Sequence, residues 1–235
     1  MEVASAFGIP IRLHWSFLAV LAGLLVWAGP GAWLGTLGLA IGLFGSVLLH
    51  ELGHALAARY YGIETAHITL YPFGGVAAIS QMPRNPLQEL VIAIAGPAVN
   101  GGLFLLFGAL SLGFGSWVAG GLALMNLAMG MFNLIPAFPM DGGRVLRALL
   151  ATRMGWMRAS SMSIKIGQGF AWLFIAFGVL TGQWNLLLVG GFLLVALHAE
   201  RKRLVEIAWE RAAKGWTDWG SPDPWGGRPA ARTYR

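Results

Sequence analysis

Residues 33–49, WLGTLGLAIGLFGSVLL, run without a single charge into His50-Glu51-Leu52-Gly53-His54. At 1.5 Å per residue, the segment Trp33–Ala58 is long enough to cross the roughly 30 Å hydrocarbon core of a bilayer. The reading is therefore a membrane-spanning helix that ends in three ionisable side chains. Such side chains at membrane depth are costly, and by default they mark function. Residues four apart share one helix face, so His50 and His54 can reach one metal ion. Glu51 stands beside them, placed to take a proton from a water polarised by that ion. The plainer alternative, two core histidines and a chance glutamate, leaves the depth of all three unexplained.

Composition extends this reading to the whole chain. Hydrophobic residues make up 57% and charged residues 11% of the 235 residues, and the mean hydropathy is +0.66. Soluble domains carry about 25% charge, so the chain reads as a polytopic membrane protein. Cysteine is absent, which excludes a disulfide framework, a thiolate metal site and a cysteine nucleophile. A metal here must use nitrogen and oxygen ligands. The net charge of +6 comes from bases that form no single patch, and nucleic acid is not an expected partner.

Six spans are expected: Leu13–Gly29, Trp33–Ala58, Leu87–Gly113, Trp117–Leu134, Ile166–Leu180 and Trp184–Leu197. The connections after the first, third and fifth carry no charge. Arg12, Arg59, Arg84, Arg144, Arg147, Arg153, Arg158 and Lys165 lie on the opposite side, as do the bases after the sixth span. By the positive-inside rule both termini are cytoplasmic. The first span is expected to be retained rather than cleaved as a signal sequence.

Between spans two and three, Ile63–Met82 alternates like a strand, with Thr65, His67 and Thr69 against Ala66, Ile68 and Leu70. Pro72-Phe73-Gly74-Gly75 interrupts it, which predicts a membrane-associated β-hairpin. Phe7–Trp15 is expected to add an edge strand. Residues 1–199 form the expected core, and Glu200 onward is expected to be a cytoplasmic amphipathic helix followed by a flexible tail. No internal repeat is evident, which weakens a transporter built from duplicated halves.

A catalytic zinc site needs three protein ligands and water. Ala57 and Tyr60 occupy the positions where a soluble zincin would continue toward a third histidine. Glu64 lies too close, in the hairpin, and Glu89 opens the third span at the interface. Asp141 is better placed. Asn133-Leu134-Ile135-Pro136-Ala137-Phe138-Pro139-Met140-Asp141-Gly142-Gly143 breaks the chain after span four, on the side where span two ends. His50 lies roughly 14 Å along the helix from Arg59, and Asp141 stands just before Arg144 and Arg147. Asp141 is read as a ligand in preference to an N-cap of the helix Gly143–Ala151. Arg144 and Arg147 are explained by topology and snorkelling. His14 and His198 read as interfacial residues and His67 as a surface residue of the hairpin.

His50-Glu51-x-x-His54, together with Asn133-x-x-Pro136-x-x-Pro139-x-Asp141-Gly142-Gly143, resembles the site-2 protease family of intramembrane zinc metalloproteases. Pro97 and Asn100 match a recurrent pattern of its third span. The resemblance covers Gly8 to Ala199. It implies one Zn2+ on His50, His54 and Asp141, Glu51 as general base, and Asn133 holding substrate or the developing oxyanion. The hairpin, with Phe73, Gly74 and Gly75 at its turn, resembles an element that presents substrate as an added strand. The implied substrate is a membrane-anchored protein, such as a transcription regulator or an anti-sigma-type protein, in a prokaryotic inner membrane. The chain resembles the six-span branch, with no inserted PDZ domain expected. The stretch 201–235 is too short for a CBS pair, so no nucleotide-sensing domain is expected. The competing reading is a metal-ion or proton-coupled transporter using the same three ligands, in which Glu51 has no task.

Overall fold

The computed structural model describes residues 2–71, 74–79 and 85–213. Seven α-helices and four strands are present among them: β1 (Glu2–Ala6), β2 (Ile9–Leu13), α1 (Trp15–Ala28), α2 (Trp33–Tyr60), β3 (Thr65–Tyr71), β4 (Gly74–Ile79), α3 (Pro86–Phe114), α4 (Trp117–Asn133), α5 (Asp141–Met154), α6 (Trp156–Thr181) and α7 (Trp184–Ala213). A single 3-10 turn, Pro30–Ala32, joins α1 to α2. Helices α2, α3 and α6 are long and apolar enough to cross a membrane, and α1 and α4 are shorter apolar helices. Leu112, Leu34 and Trp27 are 91%, 88% and 87% exposed, an arrangement that water would penalise and lipid does not. The chain is a multi-pass membrane protein.

Two compact units divide the chain. The first comprises Met1–Pro83 and Ile94–Phe132. Its sheet has the order β1-β2-β3-β4, which is larger than the hairpin the sequence predicts. The strand expected within Phe7–Trp15 is β2, but it is an inner strand of the sheet, because β1 forms a hairpin with it and takes the edge. Phe7 and Gly8 turn at φ 52° and 78°, the doubly positive geometry of a tight two-residue turn. Strand β2 runs parallel to β3, with Ile11 opposite Ile68, and β3 runs antiparallel to β4, with Leu70 opposite Gly75. The period-two pattern holds: Ile68 and Leu70 are buried, and with Ile9 and Ile11 they pack on Val47, Leu52 and Ala55 of α2. Burial of this apolar face presses the sheet against the helix that carries the pentapeptide. Arg59 adds a hydrogen bond from its Nη1 to the Phe7 carbonyl, 2.8 Å.

The second unit comprises Arg84–Ala93 and Asn133–Arg235. Its core joins Ala137, Phe138 and Met140 to Ile164, Ala171, Leu193 and Leu197. Helices α6 and α7 meet through small residues. A methyl group on Gly190 would stand 2.8 Å from the Ala171 carbonyl, and one on Gly167 would stand 2.9 Å from Leu197. Close approach of this kind replaces the hydrophobic drive that lipid removes. Helix α7 continues without a break to Ala213, so the amphipathic segment expected from Glu200 is the end of the last helix. The flexible tail expected beyond it lies outside the described residues.

Arg147 departs from its snorkelling assignment. It is 4% exposed, and its Nε donates to Glu89 Oε1 at 2.9 Å. Its Nη1 donates to Glu200 at 3.3 Å. The rings of Phe138 and Trp156 lie 5.0 and 5.1 Å from its guanidinium carbon. A buried cation held this way joins α3, α5 and α7.

Candidate metal centre

His50 and His54 occupy consecutive turns of α2 and are both buried. Their Nε2 atoms stand 3.1 Å apart. A tetrahedral zinc with bonds of about 2.0–2.1 Å separates its ligand atoms by about 3.3 Å. The imidazole pair is thus set at one edge of such a tetrahedron. The second histidine needs no rearrangement to share an ion with the first.

The neighbouring helix leaves that space open. Gly96 of α3 faces both rings: a Cβ there would fall 2.7 Å from His50 Nε2 and closer still to His54 Nε2. Any side chain at 96 would crowd the two ring nitrogens that would hold an ion. Gly53, between the histidines, has the same intimacy with α3, since a Cβ on it would stand 2.9 Å from the Ala95 carbonyl. Two glycines on facing helices give the imidazoles their room.

Asp141 belongs to the second unit. It is 8% exposed, in the first turn of α5, and the N-cap is Met140 rather than Asp141. The N-cap alternative weighed from sequence does not apply. The Gly142-Gly143 pair makes this placement possible. A Cβ on Gly142 would collide with the Leu134 and Ile135 carbonyls, and one on Gly143 would stand 2.7 Å from the Phe138 nitrogen. Only glycines let the first turn of α5 tuck beneath the Pro136–Pro139 loop.

His50, His54 and Asp141 each offer one ligand atom, and these atoms all lie within 4.8 Å of one another. Two imidazoles and one carboxylate, all buried, are a donor set suited to zinc. Among the described residues no other His or acidic trio converges in this way.

Glu51 is partly exposed and lies against β4. A Cβ on Gly75 would stand 2.5 Å from Glu51 Cγ and 3.1 Å from its Oε1. Gly74 and Gly75 therefore begin a strand that passes over the acid, while Phe73 lies outside the described residues. Asn133 is the half-buried last residue of α4. His14 caps α1, accepting from the Ser16 nitrogen, and His67 and His198 stand in β3 and α7, on elements that hold no ligand of the trio. The residues the sequence did not single out are Gly96, Ser46 and Asn126, the last two fully or almost fully buried polar side chains of α2 and α4.

The chain is similar to known proteins over most of its length. The profile of peptidase family M50 matches residues 38–119 and 116–176. A zinc metalloprotease of Methanocaldococcus jannaschii is 40% identical over 208 residues, 85% of this chain and 60% of that protein. Rip3 of Mycobacterium tuberculosis is 35% identical over 227 residues, covering 84% of this chain and 57% of its own. The chain thus spans between half and two thirds of the length of these relatives. The solved site-2 protease from Methanocaldococcus jannaschii superposes with a TM-score of 0.64 at 37% identity, over 85% of this chain and 94% of that one.

Proposed function

The chain belongs to peptidase family M50, and on that premise we propose that it is an intramembrane zinc metalloprotease. It hydrolyses peptide bonds within or beside the transmembrane segments of membrane-anchored proteins. The observation that carries this reading is the convergence of His50, His54 and Asp141 on an apolar helix that also bears Glu51. Zinc bound there supplies Lewis acidity, polarising the substrate carbonyl and lowering the pKa of a water to about 7.

The chain's own residues do the rest. Glu51 accepts a proton on a carboxylate oxygen as water attacks, then delivers it to the leaving amine. Asn133 donates an N–H to the carbonyl oxygen as its charge develops. A substrate helix hides its scissile bond and has its carbonyls already bonded, so it must unwind locally. Among the described residues strand β4 is an edge of the sheet, and an added strand there would offset the bonds lost on unwinding. A strand added there runs about 4.8 Å from β4, beside the Glu51 that Gly75 touches. Strand β4, which Gly74 and Gly75 begin, is the presenting element; Phe73, expected with them, lies outside the described residues.

The finer topology follows the charge pattern. Residues 1–199 form a six-span core and 200–235 a cytoplasmic extension, with both termini cytoplasmic in a prokaryotic inner membrane. The substrate class this suits is a membrane-tethered transcription regulator or the inhibitor of one. A transporter would leave Glu51 and the β4 edge without a task. The test is Glu51→Gln: one zinc per chain retained, with cleavage of a membrane-anchored reporter in proteoliposomes reduced about 10²- to 10⁴-fold. Full cleavage by this variant, or wild-type protein without zinc, would overturn the proposal.

A further inference from the structure

Three polar side chains are buried in the apolar helices of the first unit: Ser46 at 2% exposure, and Asn100 and Asn126 at 0%. Unpaired groups there would be costly, and each has partners. The Ser46 hydroxyl donates to the Gly42 carbonyl at 2.8 Å. Asn126 Nδ2 donates to Ser46 Oγ and to the Leu122 carbonyl, both at 2.9 Å. Asn100 Nδ2 donates to Asn126 Oδ1 at 2.9 Å. Asn100 Oδ1 in turn meets His50 Nδ1. Gly130, one turn beyond Asn126, admits Asn100 closely, since a Cβ there would stand 3.3 Å from that of Asn100.

The chain has a direction, and its origin is a backbone group. A carbonyl only accepts, so Leu122 requires the Asn126 NH₂ on its side. Asn126 Oδ1 then faces Asn100 and requires that residue's NH₂. Asn100 is left presenting oxygen to His50, which requires a hydrogen on Nδ1. A neutral imidazole protonated at Nδ1 carries its lone pair on Nε2, the atom that lies 3.1 Å from His54 Nε2. Helix-to-helix adhesion alone would need hydrogen bonds but would have no preference for this order.

We propose that Asn126 and Asn100 are positioning residues that fix His50 in the Nδ1–H tautomer before metal arrives. The consequence for metal affinity rests on the zinc reading above, whereas the tautomer itself does not. The partner on the non-ligating nitrogen orients a ligand histidine, and its loss typically weakens metal binding about 10- to 100-fold.

The test is nitrogen-15 NMR of histidine-labelled, zinc-stripped protein in micelles, with His50 identified by comparison with His50→Asn. Wild type is expected to show His50 protonated at Nδ1 only. Asn126→Leu, which never touches His50, frees the Asn100 amide to turn and is expected to show both tautomers. Asn100→Leu, which removes the oxygen at Nδ1, is expected to show both tautomers too. Ser46→Ala leaves the Leu122 anchor in place and is expected to change neither tautomer nor zinc affinity. Chelator competition is expected to show zinc affinity about 10- to 100-fold weaker in the two Leu variants, with helicity checked by circular dichroism. An Nε2–H tautomer in wild type overturns the inference, and that spectrum decides even if a variant fails to fold. Wild-type zinc binding matched within threefold by well-folded Asn100→Leu and Asn126→Leu overturns it too, and leaves the protease reading standing. Absence of zinc from wild type would instead defeat the protease reading, while the tautomer spectrum still decides this one.

Discussion

Replacing Gly96 with alanine adds one methyl group to α3 and should empty the metal site. The added carbon would stand 2.7 Å from His50 Nε2 and nearer still to His54 Nε2, whereas non-bonded heavy atoms settle at about 3.5 Å. One of the two rings must therefore move by about 0.8 Å or more. Helix α2 cannot retreat to make room cheaply, because Gly53 already meets the Ala95 carbonyl with no space for a methyl group. Zinc in a four-ligand protein site is bound with about 10–16 kcal/mol, or about 2.5–4 kcal/mol per ligand. Loss of one imidazole then weakens binding by about 10²- to 10³-fold. The assay is chelator competition on purified protein, with zinc content measured on the same samples. Alanine is a better helix former than glycine by about 1 kcal/mol, so α3 itself should not be weakened and the helical signal should persist. A Gly96→Ala protein that binds zinc within tenfold of wild type would refute the placement of both rings.

Other expectations follow from neighbouring contacts. Gly75→Ala pushes a methyl group to 2.5 Å from Glu51 Cγ; because Glu51 can swing aside, zinc should stay while cleavage falls about 10-fold or more, and unchanged kcat would contradict it. Arg147→Met strands Glu89, which is 1% exposed, and should destabilise the fold by about 3–5 kcal/mol. Adding Glu89→Met should restore much of that in a detergent unfolding titration; a single variant as stable as wild type would show that the ion pair contributes nothing.

The sequence made the helices legible because uncharged apolar runs of this length have few alternatives to a helix in lipid. It divided the last one in two. Charges at Glu200–Arg203 end the hydropathy signal, but helical geometry does not stop where lipid does, and α7 continues to Ala213. Strand β1 escaped notice because it is only five residues long and mostly exposed, so it carries no alternating apolar signal. Parallel pairing of β2 with β3 leaves no local mark at all. At the metal centre, His50, Glu51 and His54 were readable because one helix turn sets their spacing. Asp141 was readable by depth and by the broken backbone around it. Gly96, Asn126 and Ser46 were not. Their importance lies in the rotation of one helix against another, which depends on packing rather than on any local pattern. The partnership of Arg147 with Glu89 and Glu200 was hidden for the same reason.

The parallel pairing of Ile11 with Ile68 has a consequence for biogenesis. A chain leaving the ribosome presents β2 first, then α1 and α2, and only afterwards β3. Strand β2 can pair with β3 only once α1 and α2, which lie between them in the chain, have been made. Closure over such a separation is slow compared with forming a local hairpin. The four-stranded sheet packed against α2 is therefore completed only after the helix that carries His50, Glu51 and His54 has been made. Until β2 meets β3, the histidines and Glu51 of α2 stand without the complete sheet beside them.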